Sequence, residues 1–85
     1  MWYVYLLQNK NGDLYTGSTK NLQKRILSHN SRENKSTKHG APWKVIYCEI
    51  CLNKYDARAR EKYLKSGMGK RYLRNRLKLF FAQGF

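Results

Sequence analysis

No stretch of the sequence stays apolar over the roughly 18 residues that a membrane-crossing helix needs. The first residues also lack the basic, apolar and small-residue pattern of a secretion signal, and internal repeats and low-complexity tracts are absent. A chain of 85 residues supports one modest core, because small domains bury a smaller share of their surface. We therefore expect a soluble, cytoplasmic protein with a single domain over residues 1–85.

Acidic residues are scarce: five Asp and Glu stand against eighteen Lys and Arg, which gives a formal net charge of +13. No acid follows Glu61, while basic residues continue as far as Lys78. So positive a surface favours a polyanionic partner, because phosphates neutralised by Lys and Arg release their counterions. We expect DNA or RNA as the partner and rank an anionic membrane surface well behind them.

Only two cysteines occur, Cys48 and Cys51, in a Cys-x-x-Cys arrangement that redox and zinc sites use. The apolar, β-branched residues 45–51 predict a strand, in which an offset of three places the two sulfurs on opposite faces. The two histidines, His29 and His39, are too far apart in sequence for the usual zinc spacing. We therefore expect no metal-thiolate site.

Apolar periodicity predicts three strands and three helices. The predicted strands are Trp2 to Gln8, Leu14 to Thr16 and Trp43 to Leu52. The predicted helices run from Leu22 to about Glu33, from about Lys54 to Ser66 and over about 69–82, the last one basic on its outer side. The order ββαβαα predicts an α+β fold, with a three-stranded, mainly antiparallel sheet flanked by helices.

Local signals mark the ends of these elements. Asn21 is a good N-cap for the first helix, and Gly67 fits the C-terminal cap of the second. Residues 34–42 show no apolar periodicity and predict a mobile basic loop, either a solvated connection or a segment that closes over a ligand. The third helix presents one apolar face, formed by Leu73, Leu77, Phe80 and Phe81.

The register of the first hairpin decides whether Tyr5 and Tyr15 lie together. A loop of three or five residues puts both on the same face of the sheet, whereas a two-residue Asn11-Gly12 loop puts them on opposite faces unless a bulge intervenes. The sequence leaves both registers open.

Two polar residues share the apolar side of the first predicted helix. At 100° per residue, Arg25 and His29 fall within the arc that also holds Leu22 and Ile26. An arginine at the core boundary and a satisfied interior histidine would explain either residue alone. Because both residues occur together, one turn apart, a functional site is as good an explanation as two separate structural roles.

The order of the candidate polar residues along the chain resembles that of a known protein family. Tyr3-Val4-Tyr5 stands where the GIY-YIG nucleases carry Gly-Ile-Tyr, and Tyr15-Thr16-Gly17 where they carry Tyr-Ile-Gly. Arg25 resembles the arginine after the family's turn into its first helix, and His29 follows where many members have His or Tyr. Glu61 resembles the metal-binding glutamate of a later helix.

This resemblance spans residues 2 to about 66 and is strongest to the small stand-alone bacterial members. The nuclease half of the excision-repair incision subunit is a more distant relative. Two departures occur: Tyr3 and Val4 replace the glycine and isoleucine of the first triplet, and Asn75 is the only candidate for an asparagine that many members carry after the glutamate.

The resemblance implies a metal-dependent endonuclease that hydrolyses phosphodiester bonds in DNA by attack of water. In this comparison Glu61 holds Mg²⁺ or Mn²⁺, and Arg25 clamps the phosphate. Tyr5 is the candidate general base, with Tyr15 and His29 positioning the water or tuning the phenol, although which tyrosine accepts the proton stays open. The basic residues expected to contact nucleic acid are Lys20, Lys24, Lys38, Lys70, Arg71, Arg74 and Lys78.

The sequence says less about the substrate than about the reaction. A domain this small has little surface for reading bases, which favours structure-selective cutting, as in repair or recombination, over a restriction-like site. The alternative function is a nucleic-acid-binding module with little or no catalysis. Metal-dependent cutting separates the two.

Overall fold

The computed structural model describes residues 1–83, which form a three-stranded sheet with helices on both faces. The strands are β1 (Trp2–Gln8), β2 (Leu14–Thr19) and β3 (Lys44–Cys51), and the helices are α1 (Leu22–Asn30), α2 (Lys54–Lys65), α3 (Gly67–Arg76) and α4 (Lys78–Ala82). The strand order is β2-β1-β3 with both pairs antiparallel. The predicted α+β sheet is confirmed. Within residues 1–83, no helix has the length and apolar character to cross a membrane.

The central strand β1 is buried because helices cover both of its faces. Val4 and Leu6 pack on the side of α2 and α3. Tyr5 and Leu7 point the other way and pack with Trp43 and the apolar side chains of α1. This alternation follows from the two-residue period of a strand and explains why the apolar residues from Val4 to Leu7 are all buried.

The first hairpin has a five-residue loop, residues 9–13, in which Gly12 takes a left-handed φ of 85°. Tyr5 lies opposite Gly17, and Tyr15 precedes Gly17 by two residues on β2. Both tyrosines therefore lie on the α1 face of the sheet, which decides between the two registers.

The cysteines lie on opposite faces of the sheet, as the strand prediction required. Cys48 is paired with Tyr5, whereas Cys51 is paired with Trp2 and packs on the α2 side. The two thiols therefore do not face a common ligand.

The C-terminal ends of β2 and α1 differ from the sequence prediction. β2 continues to Thr19 rather than Thr16, because these residues go on pairing with β1. α1 ends at Asn30 rather than at about Glu33, and Arg32 adopts a left-handed φ of 66° that a helix does not allow. At the other end of α1 the predicted cap is confirmed, since the Asn21 side chain accepts a hydrogen bond from the amide of the third helical residue.

The junction of α2 and α3 also differs from the prediction. Gly67 does not cap α2 but begins α3. Ser66 serves both helices: its backbone N–H donates to Tyr63, and its hydroxyl accepts from the Gly69 amide at 3.2 Å. The helix predicted over about 69–82 is divided at Leu77 into α3 and α4.

The segment 34–42, for which the sequence predicts a mobile loop, is anchored at its centre. Thr37 is buried, and its carbonyl accepts a hydrogen bond of 2.8 Å from the Trp43 indole. Gly40 lies against the same indole and the Asn9 side chain. The tertiary contacts of Thr37 and Trp43 thus override the polar composition of the segment.

A bidentate ion pair joins α2 to β3. The Arg60 guanidinium donates from Nε and Nη2 to the two carboxylate oxygens of Glu49 on β3, at 2.9 and 3.0 Å. Its Cζ also lies 4.8 Å from the centre of the Tyr72 ring on α3. Since successive helical residues point about 100° apart, Arg60 facing β3 leaves Glu61 free to face β2.

The close contact of α2 and α3 is testable at a glycine. A Cβ at residue 69 would lie 2.5 Å from the Leu64 Cα, so Gly69→Ala should lower the free energy of unfolding by about 1 to 3 kcal/mol, the usual cost of overpacking. Gly67→Ala is the matched control, because nothing lies within 4 Å of its added Cβ. Urea unfolding measures both variants; equal losses would contradict the contact.

Candidate functional site

A cleft of about 450 Å³ opens at the β2 edge of the sheet, and Ser18, Arg25 and Glu61 line it. Arg25 comes from α1 on one face of the sheet and Glu61 from α2 on the other. Because β2 is an edge strand, the two helix layers meet beyond it. The cleft also has cationic walls, formed by Arg58, Lys62 and Lys65.

Both carboxylate oxygens of Glu61 are held in place. The Ser18 hydroxyl donates a hydrogen bond to Oε1, and Lys65 Nζ lies 2.9 Å from Oε2, one helical turn away. The Glu61 side chain is only 21% exposed. Glu61 therefore faces the cleft that contains Arg25 and is not a freely solvated surface residue.

Three buried side chains form a hydrogen-bonded chain on the α1 face. Tyr5 Oη lies 2.9 Å from His29 Nε2, and His29 Nδ1 lies 2.7 Å from Thr37 Oγ1. Tyr5 and Thr37 are each 1% exposed and His29 is fully buried. The sequence predicts Tyr5 and His29 as partners but gives no signal for Thr37, which lies in a segment without periodicity.

Burial sets the charge state of the Tyr5 and His29 pair. It raises the pKa of the Tyr5 phenol, although the Arg25 guanidinium beside the phenol acts in the opposite direction. Burial and, to a smaller extent, the Arg25 charge lower the pKa of His29. At neutral pH both groups are therefore uncharged, because each shift moves the ordinary pKa further from 7 on the neutral side.

The available donors and acceptors give this chain a direction. The Arg25 guanidinium beside the phenol can only donate, which favours the arrangement in which Tyr5 donates to His29 Nε2. A neutral imidazole that accepts at Nε2 carries its proton on Nδ1, and that N–H donates to Thr37 Oγ1. Thr37 thus holds the imidazole in the tautomer that can receive a proton from Tyr5.

Arg25 retains unused hydrogen-bonding capacity. Its Nε is buried and has no hydrogen-bond partner among residues 1–83. A buried donor without a partner is costly, and most such groups in folded proteins are paired. An anionic oxygen entering the cleft would supply the missing acceptor.

Tyr15 and Gly17 complete the site from β2. The Tyr15 ring packs edge-on against the His29 ring, with centroids 5.1 Å apart, and Lys65 Nζ lies 5.9 Å from its centre. At Gly17 a Cβ would lie 2.6 Å from the Tyr5 Cζ, so only glycine lets the phenol lie across this strand. Tyr15 thus connects the buried chain with the cleft.

The seven basic residues predicted to contact nucleic acid are all exposed. They occupy three regions: the start of α1 (Lys20 and Lys24), the segment before β3 (Lys38), and α3 with the start of α4 (Lys70, Arg71, Arg74 and Lys78). The sequence prediction left out the cations of α2 that line the cleft with Glu61. Arg58 and Lys65, one turn to either side of Glu61, carry the spacing that would have identified them.

The lowered pKa of His29 predicts a loss of stability in mild acid. As pH falls below about 6.5, unfolded chains bind a proton at this histidine that the folded protein resists, so the free energy of unfolding decreases until the folded pKa is reached. His29→Gln should remove this contribution, whereas His39→Gln, at an exposed histidine, should keep it. Urea midpoints between neutral and acidic pH measure the slope, and identical slopes in both variants would contradict the assignment.

Removal of the Thr37 hydroxyl tests the direction of the chain. Thr37→Val keeps the shape but leaves the His29 Nδ1–H buried without an acceptor, which should cost about 1 to 3 kcal/mol of stability. Thr37→Ser should retain most of it. Nitrogen NMR of His29 provides the second measurement: the proton should reside on Nδ1 in the wild type, and an Nε2–H tautomer there would refute the proposed role of Thr37.

Comparisons with known proteins identify the family of the chain. The family model of the GIY-YIG catalytic domain matches residues 1–75. A UPF0213 protein of Clostridium perfringens is 47% identical over 66 residues, covering 76% of this chain and 71% of that protein. One of Staphylococcus saprophyticus is 38% identical over 65 residues, covering 75% of this chain and 79% of that protein.

A solved structure shows the same fold. The solution NMR structure of a UPF0213 protein of Bacillus halodurans gives a TM-score of 0.52 at 32% sequence identity, covering 86% of this chain and 82% of that chain. The range matched by the family model includes every residue from Tyr5 to Glu61 in the candidate site. The chain therefore belongs to the GIY-YIG family of nuclease domains.

Proposed function

We propose that this protein is a metal-dependent endonuclease that hydrolyses phosphodiester bonds in DNA. The observation that supports it most is that Arg25 and Glu61, from helices on opposite faces of the sheet, line one cleft. A guanidinium opposite a carboxylate supplies two features that phosphoryl transfer requires: a donor fork for the developing negative charge and an anchor for a cation. The net charge of +13 suits a polyanionic substrate.

Glu61 and Ser18 offer oxygen donors of the kind that a hard divalent cation accepts, and a cation bound to Oε2 would replace the Lys65 ammonium there. Carboxylate and hydroxyl oxygens, here from Glu61 and Ser18, are ligands that Mg²⁺ accepts, and Mg²⁺ commonly binds through one or two carboxylates while keeping several waters. Within residues 1–83 no group of three His, Cys, Asp or Glu side chains lies together, so water would complete the shell. When bound, Mg²⁺ or Mn²⁺ would stabilise charge on the leaving oxygen.

Arg25 is the candidate phosphate clamp. Its planar guanidinium offers several donors in a fixed geometry, and its buried Nε has no partner among the described residues. A phosphate oxygen that gains charge during the reaction would be the acceptor of this group. The interaction then strengthens as the transition state forms, which is the condition for a gain in rate.

Tyr5 and His29 form the candidate proton-accepting pair. Burial raises the pKa of Tyr5, which favours a neutral phenol at the start of the reaction. Tyr5 is 1% exposed and does not line the cleft, so the attacking water must reach it past Arg25. Tyr5 would then take the proton of that water as its own proton passes to His29 Nε2, which leaves hydroxide attacking phosphorus and an imidazolium behind it. Fully buried, His29 acts through Tyr5, and Tyr15 orients the imidazole by packing on it.

This function predicts cutting that depends on metal and on two side chains. Wild-type protein should nick supercoiled plasmid DNA with Mg²⁺ or Mn²⁺ and not with a chelator. Glu61→Gln and Arg25→Lys should each lower the rate by roughly 100-fold or more, as for removal of a transition-state donor. The measurement is the initial nicking rate of variants whose circular dichroism matches that of the wild type.

Matched controls separate the site from the general charge of the surface. Glu33→Gln and Arg32→Lys change the same residue types at exposed positions after α1 and should cut at the wild-type rate. Undiminished cutting by both Glu61→Gln and Arg25→Lys would refute the site. Tight DNA binding without cutting by the wild type would instead identify a binding module.

A further inference from the structure

A second hollow of about 290 Å³ lies beside the cleft, between β2 and α3. Its walls are mainly apolar, with cations at the rim. The apolar side chains include Leu14, Leu64 and Phe81, and the cations are Lys65, Lys70 and Arg74. Among residues 1–83, no acidic side chain lines it.

The hollow and the cleft share a boundary. Lys65 lines both of them, and its ammonium group lies 5.9 Å from the centre of the Tyr15 ring, which also lines the hollow. Since Lys65 Nζ is also 2.9 Å from Glu61, a group in the hollow is one side chain away from the proposed metal-binding carboxylate. An occupant of the hollow is therefore a direct neighbour of a phosphate in the cleft.

The chemistry of the hollow matches a single nucleotide. An apolar floor suits a flat base, and a cationic rim suits the phosphates on either side of it. The volume lies at the lower end of small-ligand pockets, which allows one base rather than a stack. In a paired duplex the bases stay stacked inside the helix, so only an unpaired or extruded base can enter.

We propose that this hollow binds the base of an unpaired nucleotide adjacent to the phosphate that is cut. The inference rests on the proposed nuclease function and narrows its substrate to DNA with a bulged, extruded or single-stranded nucleotide at the cleavage position. Tyr15 then forms the wall between the bound base and the reacting phosphate.

Binding without catalysis provides the test. Fluorescence anisotropy in the presence of a chelator compares a short paired duplex with the same duplex carrying one bulged nucleotide. The bulged duplex should bind about tenfold more tightly, within the range that stacking of a base on an aromatic side chain provides. Equal affinity for the two would overturn the proposal.

Variants of the walls localise the effect. Leu14→Trp should fill the hollow without unfolding the protein, because Leu14 is 48% exposed, and Phe81→Ala removes a wall. Both should lose the preference for the bulge while keeping their affinity for the paired duplex. Leu79→Ala, on α4 but outside the hollow, is the control and should keep the preference. A preference that survives Leu14→Trp would also overturn the proposal.

The salt dependence of DNA binding tests the cationic rim of the hollow separately. Arg74→Gln should make the slope of log affinity against log salt less steep, by roughly the contribution of one phosphate contact. Phe81→Ala should leave that slope unchanged. The reverse pattern would contradict the division into an apolar floor and a cationic rim. If poly-glutamate displaced the bulged duplex as effectively as competing DNA does, the hollow would be an acidic-peptide site and the nucleotide assignment would be overturned.

Cleavage assays separate this inference from the function on which it rests. Equal cutting of paired and bulged DNA in Mg²⁺ would leave the nuclease in place and refute the role of the hollow. A bulge preference in binding, with no cutting under any metal condition, would support the hollow and refute the nuclease.

Discussion

The hydrogen bond between Tyr5 and His29 imposes requirements on the rest of the α1 face. Both groups are buried, and a buried polar group is tolerated only when its hydrogen-bonding capacity is used. Nδ1 of the imidazole therefore needs Thr37, which brings a polar segment against the core and fixes it through Trp43. The phenol in turn needs Gly17 opposite it, because any side chain there would collide with the ring.

The cleft depends on a different constraint, the narrowness of the sheet. With only three strands, the helices on its two faces meet beyond β2, so an arginine and a glutamate from opposite layers line one space. The core contacts of Ala57 and Leu64, together with the bidentate pair of Arg60 and Glu49, hold α2 in the rotation that turns Glu61 toward this edge. A core contact and an ion pair on β3 thereby position a side chain at the far side of the sheet.

Features that depend on neighbouring residues could be predicted from the sequence, and those that depend on distant ones could not. The central strand and the Asn21 cap follow from local pattern, and the order of the candidate site residues follows from the family resemblance. Thr37 acquires its role only from His29, eight residues earlier in the chain. The prediction that Gly67 caps α2 was wrong, because the position of α3 depends on the close approach of Gly69 to α2.

The strand order has one more consequence, for the behaviour of the protein in concentrated solution. β2 and β3 are the outer strands of the sheet, and the outer edge of such a strand can pair with the edge of another copy. Two chains that each carry a net charge of +13 repel one another before their edges can meet. The charge that attracts a polyanion therefore also keeps the sheet from extending into an aggregate, and high salt or an excess of polyanion would weaken that protection.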